Sequence, residues 1–329
     1  MTGTIDRFPR LLADIGGTNA RFAIEPRPGH IEAMSIYSSR AFSGLEEALA
    51  RFLSQPEAVA AGSERVRHAA MAIANPVAGD RIRMTNSEWT FSIEDVRKKA
   101  GFETLLFIND FTALAMALPL IAPEALIRVG GDDPPANQPI GLLGAGTGLG
   151  VSGLIPCNGG WVPLETEGGH ATFSPFSERE IELLRLAKKQ YPHVSAERFL
   201  SGMGLELIYR LIMESRKKEA DPIRASDITA RALSGECAWC EEVVETFCQM
   251  LGTVAGNLAL TLGARGGIYI GGGIVPLLGE RFFISGFRQR FEEKGRFSSY
   301  LSRIPVYVIQ DTFAALRGVS VLLSRHLEM

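Results

Sequence analysis

The chain has 329 residues, 46% of them hydrophobic and 22% charged, with a formal net charge of −3. That length predicts two domains, and that balance is ordinary for a soluble globular enzyme with apolar material for two cores. The mild acidity excludes the basic field that holds nucleic acid or an anionic membrane, and no apolar run approaches the ~20 residues of a transmembrane span.

The start, Met1 to Arg10, carries Asp6 and Pro9 but no apolar signal-peptide core, so the expected compartment is the cytoplasm. Leu11–Ile15 and Arg21–Ile24 then read as strands joined by a tight turn, Gly16-Gly17-Thr18-Asn19. Ser43–Leu53 reads as a helix capped by Ser43, with Leu45, Leu49 and Phe52 inward. Arg67–Ala74 is a buried strand, Ser92–Ala100 a helix ended by Gly101, and Thr104–Ile108 an apolar strand with Asn109-Asp110 at its carboxyl end. Phe111–Pro119 looks helical.

Gly130–Pro139 is a loop leading to a second strand-turn-strand unit about Gly144-Ala145-Gly146-Thr147-Gly148. Glu178–Lys189, Met203–Lys217, Ser226–Leu233 and Glu241–Leu262 read as helices. Gly267–Ile270 and Ile304–Ile309 are late strands, the first followed by Gly271-Gly272-Gly273. Ala314–His326 reads as a helix that packs back on the first domain.

Two glycine turns, one in each half, suggest a duplicated fold that grips one polyphosphate from two sides. Gly-Gly and Gly-x-Gly turns permit φ > 0 and leave backbone N–H groups uncovered for a phosphate. Residue 149 is leucine, so the second turn is not a dinucleotide fingerprint, and no Gly-Lys-Ser/Thr follows to make a Walker A loop. Asp14, beside the first turn, is either a Mg²⁺ ligand or a turn-capping residue. Asp110 is either a general base that takes a proton from an attacking hydroxyl or, with Asn109, a helix cap. Glu167 and His170, flanking Gly168-Gly169, can converge on a polyol or form a solvated loop. Glu197 suits the first turn of a helix. Three consecutive glycines at 271–273 point to a close backbone approach. Cys237-Ala238-Trp239-Cys240 lacks a second ligand pair for zinc and the leading strand of thioredoxin-type chemistry, and reads as helix packing.

Taken in order, these segments resemble the bacterial ATP-dependent glucokinase family. Asp14–Arg21, Thr85-Asn86-Ser87-Glu88-Trp89, Ile108–Phe111, Gly144–Gly150, Glu167–His170, Val194–Arg198 and Gly271–Pro276 each match one of its motifs, as do Ser285–Arg288 and Lys294–Phe297. The resemblance implies a two-lobed α/β, actin/hexokinase-like fold, a duplicated ribonuclease H-like plan with an interlobe active-site cleft. The domain boundaries expected from it are 1–111, rejoined by 312–329, and 112–311. It implies transfer of the ATP γ-phosphoryl group to the glucose 6-hydroxyl, with Asp110 as general base. Asn109, Asp110, Glu167, His170 and Glu197 would bind glucose. Ala13, Asp14, Ile15, Gly16, Gly17 and Thr18 would hold ATP, together with Gly144, Gly146, Thr147, Gly148, Gly271, Gly272 and Gly273, and Asp14 would serve Mg²⁺. A homodimer is implied, and no zinc: the cysteine-rich motif of the related ROK sugar kinases has no counterpart in Ala171–Phe176, which follows His170. A tail of Phe313-Ala314-Ala315-Leu316-Arg317-Gly318 departs from the family's usual Gly-Leu-Leu-Gly turn and leaves its local packing open. A kinase for another hexose, or a non-catalytic sugar sensor on the same fold, are the alternatives.

Overall fold

The structure, a computed structural model, describes residues 7–84 and 88–328. Thr85-Asn86-Ser87, part of one motif quoted above, lies outside the described residues. The chain divides into two compact units, Met1–Ile121 with Asp311–Met329, and Ala122–Gln310.

The first unit is built on a five-stranded sheet. Its strands are β1 (Arg10–Ile15), β2 (Asn19–Arg27), β3 (His30–Ser38), β4 (His68–Ile73) and, beyond the small hairpin β5 (Arg81–Arg83) and β6 (Thr90–Ser92), β7 (Thr104–Asn109). They lie in the order β3-β2-β1-β4-β7, with β1, β2 and β3 antiparallel and β1, β4 and β7 parallel. The parallel strands are apolar between their ends apart from Asp14, as strands covered on both faces tend to be. On one face the helix Leu45–Leu53 buries Leu45, Leu49 and Phe52, and Phe52 stacks on Phe22 at 5.3 Å between ring centres. The N-cap of that helix is Gly44, not Ser43. The Ser43 hydroxyl and N–H instead both donate to Glu47.

The other face of the sheet is covered by the helices Asp110–Ala117 and Ala314–Glu328, with Leu316, Val319 and Leu323 buried against Leu12, Ala70 and Ala72. Gly318 sits against the Ala113 carbonyl, where a Cβ would collide. The Arg10 guanidinium donates to the Ser324 hydroxyl at 2.7 Å and lies 3.8 Å from Glu25, which also accepts from Ser320 at 2.8 Å. A buried, paired charge thus joins the C-terminal helix to β1 and β2. Because Asp110–Ala117 packs on that helix, it belongs to the first unit, and the units divide after Ile121 and after Gln310 rather than at 111/112 and 311/312.

The second unit repeats the plan. Its strands are β8 (Leu126–Arg128), β9 (Ile140–Ala145), β10 (Leu149–Cys157), β11 (Gly160–Leu164), β12 (Ile268–Gly271) and β13 (Val306–Ile309), in the order β11-β10-β9-β12-β13-β8. The antiparallel run β11-β10-β9 followed by the parallel strands β12 and β13 matches β3-β2-β1 followed by β4 and β7. The helix Ala238–Leu262 is long and apolar enough to cross a bilayer by length and composition, a span the sequence reading did not expect. Two-thirds of its apolar window (67%) is buried in this unit, with Val243, Phe247, Met250 and Leu251 fully enclosed, as in a core helix.

Candidate functional site

In the first unit the motif residues gather at the carboxyl ends of adjacent parallel strands, where α/β sheets collect ligands. Ile15 ends β1, Ile73 ends β4 and Asn109 ends β7, in matching register. Asp14 lies opposite Arg21 on β2, and the Arg21 guanidinium donates to its Oδ2 at 3.0 Å. Burial pushes the Asp14 carboxyl above the ordinary carboxylate range, and the Arg21 charge and hydrogen bond draw it only part of the way back. Ala13 and Ile15 are fully buried, so their side chains belong to the core. In the turn, the Gly16 N–H closes onto the Asn19 carbonyl at 2.8 Å. Ser39 braces it, its hydroxyl donating to the Gly16 carbonyl at 3.1 Å and its N–H to the Thr18 carbonyl at 2.9 Å.

Asn109 caps the helix Asp110–Ala117: its Oδ1 accepts the N–H groups of Phe111 and Thr112 at 3.0 and 3.1 Å. Asp110 is the first residue of that helix, and its Oδ1 accepts the Phe111 N–H at 2.9 Å. A carboxylate there faces the positive end of the helix dipole, which stabilises its charge. Both residues are half-buried at the strand end.

In the second unit Glu167, His170 and Glu197, the residues the resemblance assigns to a sugar, come together. Glu167 leads into the single turn Gly168–His170, and Gly168 and Gly169 allow it to lie flat on β10. A Cβ at Gly168 would stand 2.9 Å from the Val151 side chain, and one at Gly169 would strike the Leu149 carbonyl. Beyond His170, Ala171–Phe173 pairs with Val194–Ala196: Thr172 bridges Ser195, and the Ala196 N–H donates to the Ala171 carbonyl at 2.9 Å. That pairing carries Glu197 to His170. His170 Nε2 is 3.9 Å from Glu167, and its Nδ1 is 3.8 Å from Glu197. These distances exceed a hydrogen bond, so the three groups converge without bonding one another. Glu197 sits in the first turn of the helix Ala196–Phe199, as expected, and also reaches beyond it. Its Oε2 accepts the Leu149 N–H at 2.9 Å, at the residue that follows the second glycine turn.

That turn is closed by the Gly146 N–H on the Gly148 carbonyl at 2.8 Å and abutted by the Gly202 N–H on the Gly146 carbonyl at 2.9 Å. Gly144 pairs with Gly271 on β12, so Gly271–Gly273 stands beside the turn. Gly272 alone of this set takes the left-handed backbone, at φ +78°. The φ > 0 that glycine permits is not used at Gly16, Gly144, Gly146 or Gly148. At Gly144 and Gly148 the need is close approach: a Cβ on Gly144 would lie 2.5 Å from the Gly271 carbonyl carbon, and one on Gly148 would strike the Glu197 carboxylate. Arg21, Ser39 and Gly202 were not anticipated. Hairpin register about the first turn would have found Arg21, and Ser201, an N-cap serine before Gly202, would have flagged the helix start abutting the second turn. Among the described residues no group of three or more His, Cys, Asp or Glu side chains could hold a metal ion.

The family model described as Glucokinase matches residues 11–326. The chain is 53% identical over 320 residues to the "Bifunctional protein glk" of Burkholderia pseudomallei (strain 1710b), covering 97% of this chain and 49% of that one. The chain thus spans about half the length of that bifunctional relative. It is 52% identical over 326 residues to the "Glucokinase" of Chromobacterium violaceum, covering 99% and 92% of the two chains. The crystal structure of a glucokinase from an Antarctic psychrotroph superposes with a TM-score of 0.82 at 33% identity, covering 96% of this chain and 99% of that one. The two α/β units with their repeated sheet order are therefore the actin/hexokinase-like architecture. By the match of nearly its whole length, this chain belongs to the glucokinase family.

Proposed function

We propose that the protein is a glucokinase, transferring the ATP γ-phosphoryl group to the 6-hydroxyl of glucose to give glucose 6-phosphate and ADP, the entry step of glycolysis. One observation carries this reading: Glu197 bonds the residue next to a glycine turn suited to phosphate and converges with His170 and Glu167, acceptors and donors suited to a polyol. The names of the Chromobacterium and Antarctic relatives support the same reaction.

In this reading Asp110 takes the proton of the 6-hydroxyl as that oxygen attacks the γ-phosphorus, and the bond to the bridging oxygen breaks with its electrons leaving on ADP. Catalysis is mainly positioning and charge stabilisation. Asn109, its Oδ1 spent on the helix cap, offers Nδ2 to a sugar oxygen, and Glu167, His170 and Glu197 take further hydroxyls. Gly16 and Gly146 use their N–H groups to close their own turns, so Gly17, Thr18, Thr147 and Gly148 are the phosphate donors. Ala13 and Ile15 contribute backbone only. Gly144 and Gly271–Gly273 allow the adenosine to approach.

Mg²⁺ arrives on ATP as part of the substrate. A single carboxylate fits that role, because Mg²⁺ keeps most of its waters and takes few protein oxygens. Asp14 presents Oδ1, since Oδ2 faces Arg21. The reading includes no zinc, a cytoplasmic enzyme and a homodimer; a monomer mass in gel filtration would oppose the last.

The test is ADP release with ATP and Mg²⁺ across glucose, fructose and mannose. Glucose should give the highest kcat/KM. A strong preference for another hexose would change the substrate, which one unpaired polar group can do. Glucose binding with no ADP release from any sugar would make the protein a sensor.

A further inference from the structure

Cys237-Ala238-Trp239-Cys240 lies outside the site described above, and both cysteines pack on the core of the second unit but differ in exposure. Cys240 is fully buried in the core of the second unit, but Cys237 is partly exposed. Cys237 is the N-cap of the helix Ala238–Leu262: its Sγ accepts the Cys240 backbone N–H at 3.4 Å. That contact and the three-residue spacing place Cys237 and Cys240 on the same first turn of the helix. The charge of Arg231 acts on both thiols, and further cations lie on Trp239 between them in sequence. Arg231 ends the neighbouring helix Ala225–Leu233, and Arg216 and Lys218 lie 4.7 and 4.9 Å from the centre of the Trp239 ring.

We propose that Cys237 and Cys240 are a redox-active pair, closing reversibly to a disulfide by exchange with a small-molecule disulfide such as oxidised glutathione. Partial exposure, a helix N-terminus and nearby cations are the surroundings that make a thiol reactive. Burial pushes the Cys237 thiol up, but hydrogen bonds from Cys240 and Trp239 and the charge of Arg231 together hold it below its ordinary value. Cys240 is pushed up to about 12, by burial first and then by its bond to Cys237. The reaction follows from that division. The Cys237 thiolate attacks one glutathione sulfur, forms a mixed disulfide and expels a glutathione thiolate. Cys240 then loses its proton and attacks the Cys237 sulfur, expelling the second thiolate. Two protein thiols become one disulfide, one oxidised glutathione becomes two reduced, and the two protons end on the departing thiols.

The other two cysteines are internal controls. Cys157 is exposed, and burial pushes Cys248 up to about 12. The full chain is incubated with oxidised glutathione, acid-quenched, alkylated and mapped by mass spectrometry. The segment holding Cys237 and Cys240 should lose two hydrogens while Cys248 remains a thiol, and reduced dithiothreitol should restore both. Cys240→Ser should instead accumulate the glutathione adduct on Cys237. Labelling of the wild-type chain with iodoacetamide at neutral pH, which needs no variant, should reach Cys237 several-fold sooner than Cys157. A wild-type chain that stops at the Cys237 adduct with Cys240 still a thiol, or in which Cys157 reacts ahead of Cys237, overturns the proposal. None of these readouts depends on sugar phosphorylation.

Discussion

Asp110 stands at the first position of its helix, and the residue that caps the helix is its neighbour Asn109. The cap and the base are thus different residues with compatible tasks: the cap fixes the backbone that aims the carboxylate. Asp110→Asn keeps the cap and the volume, so the protein should stay folded and bind ATP while kcat falls ~10²–10⁴-fold, the usual worth of a general base. Steady-state turnover beside a thermal melt checks this, and near-normal turnover would remove Asp110 as base. Gly148 carries a different consequence. A methyl there falls on the Glu197 carboxylate and displaces it from the Leu149 N–H. Gly148→Ala should therefore raise the KM for glucose about tenfold, equivalent to about 1.4 kcal/mol. An unchanged glucose KM, with only the ATP KM altered, would show that Glu197 does not bear on the sugar.

Among elements, the pair Asp110–Ala117 and Ala314–Glu328 is the most consequential, because the first begins at Asp110 and the second covers the same sheet face. The packing of the tail segment Phe313–Gly318, left open by the sequence, now has an account: Gly318 allows the two helices to touch at the Ala113 carbonyl. Gly318→Ala gains helix propensity at an interior position, worth about 1 kcal/mol. Overpacking costs about 1–3 kcal/mol and should outweigh it, giving a net loss of stability. The urea midpoint measures the balance, and a midpoint at or above that of the wild type would mean that the helices separate without penalty. Gly144 and Gly148 of the second glycine hairpin follow the same logic of close approach. These two glycines are there for what lies beside them, the Gly271 backbone and the Glu197 carboxylate, and not for a left-handed turn.

Over the whole molecule, the proposed sugar residues are drawn from both compact units: Asn109 and Asp110 from one, Glu167, His170 and Glu197 from the other. Ligand that binds the native state stabilises it, by about 2.7 kcal/mol at a hundredfold excess over Kd. Glucose should therefore slow amide exchange both around Asn109–Thr112 and across Gly168–Glu197, and hydrogen-exchange mass spectrometry reads the two separately. Protection confined to one unit would remove the other unit's residues from the sugar site. Much of this was legible in the chain itself. Gly16-Gly17, Gly144–Gly148 and Gly271–Gly273, each ending an apolar run, marked three strand ends, and Asn109-Asp110 marked a fourth. Those signals are local, written within a few residues by periodicity, turn chemistry and capping. Other features needed the folded chain. Asp14 meets Arg21 only through hairpin register, and Glu197 reaches Leu149 only because Ala171–Phe173 pairs with Val194–Ala196. The Cys237 sulfur becomes a cap only where the long helix begins at Ala238 instead of Glu241. Strand ends and helices were determined by neighbours in sequence. Which N–H groups stay open, which carboxylates share a histidine and which thiol is exposed were decided by register and packing between distant segments, which no local pattern records.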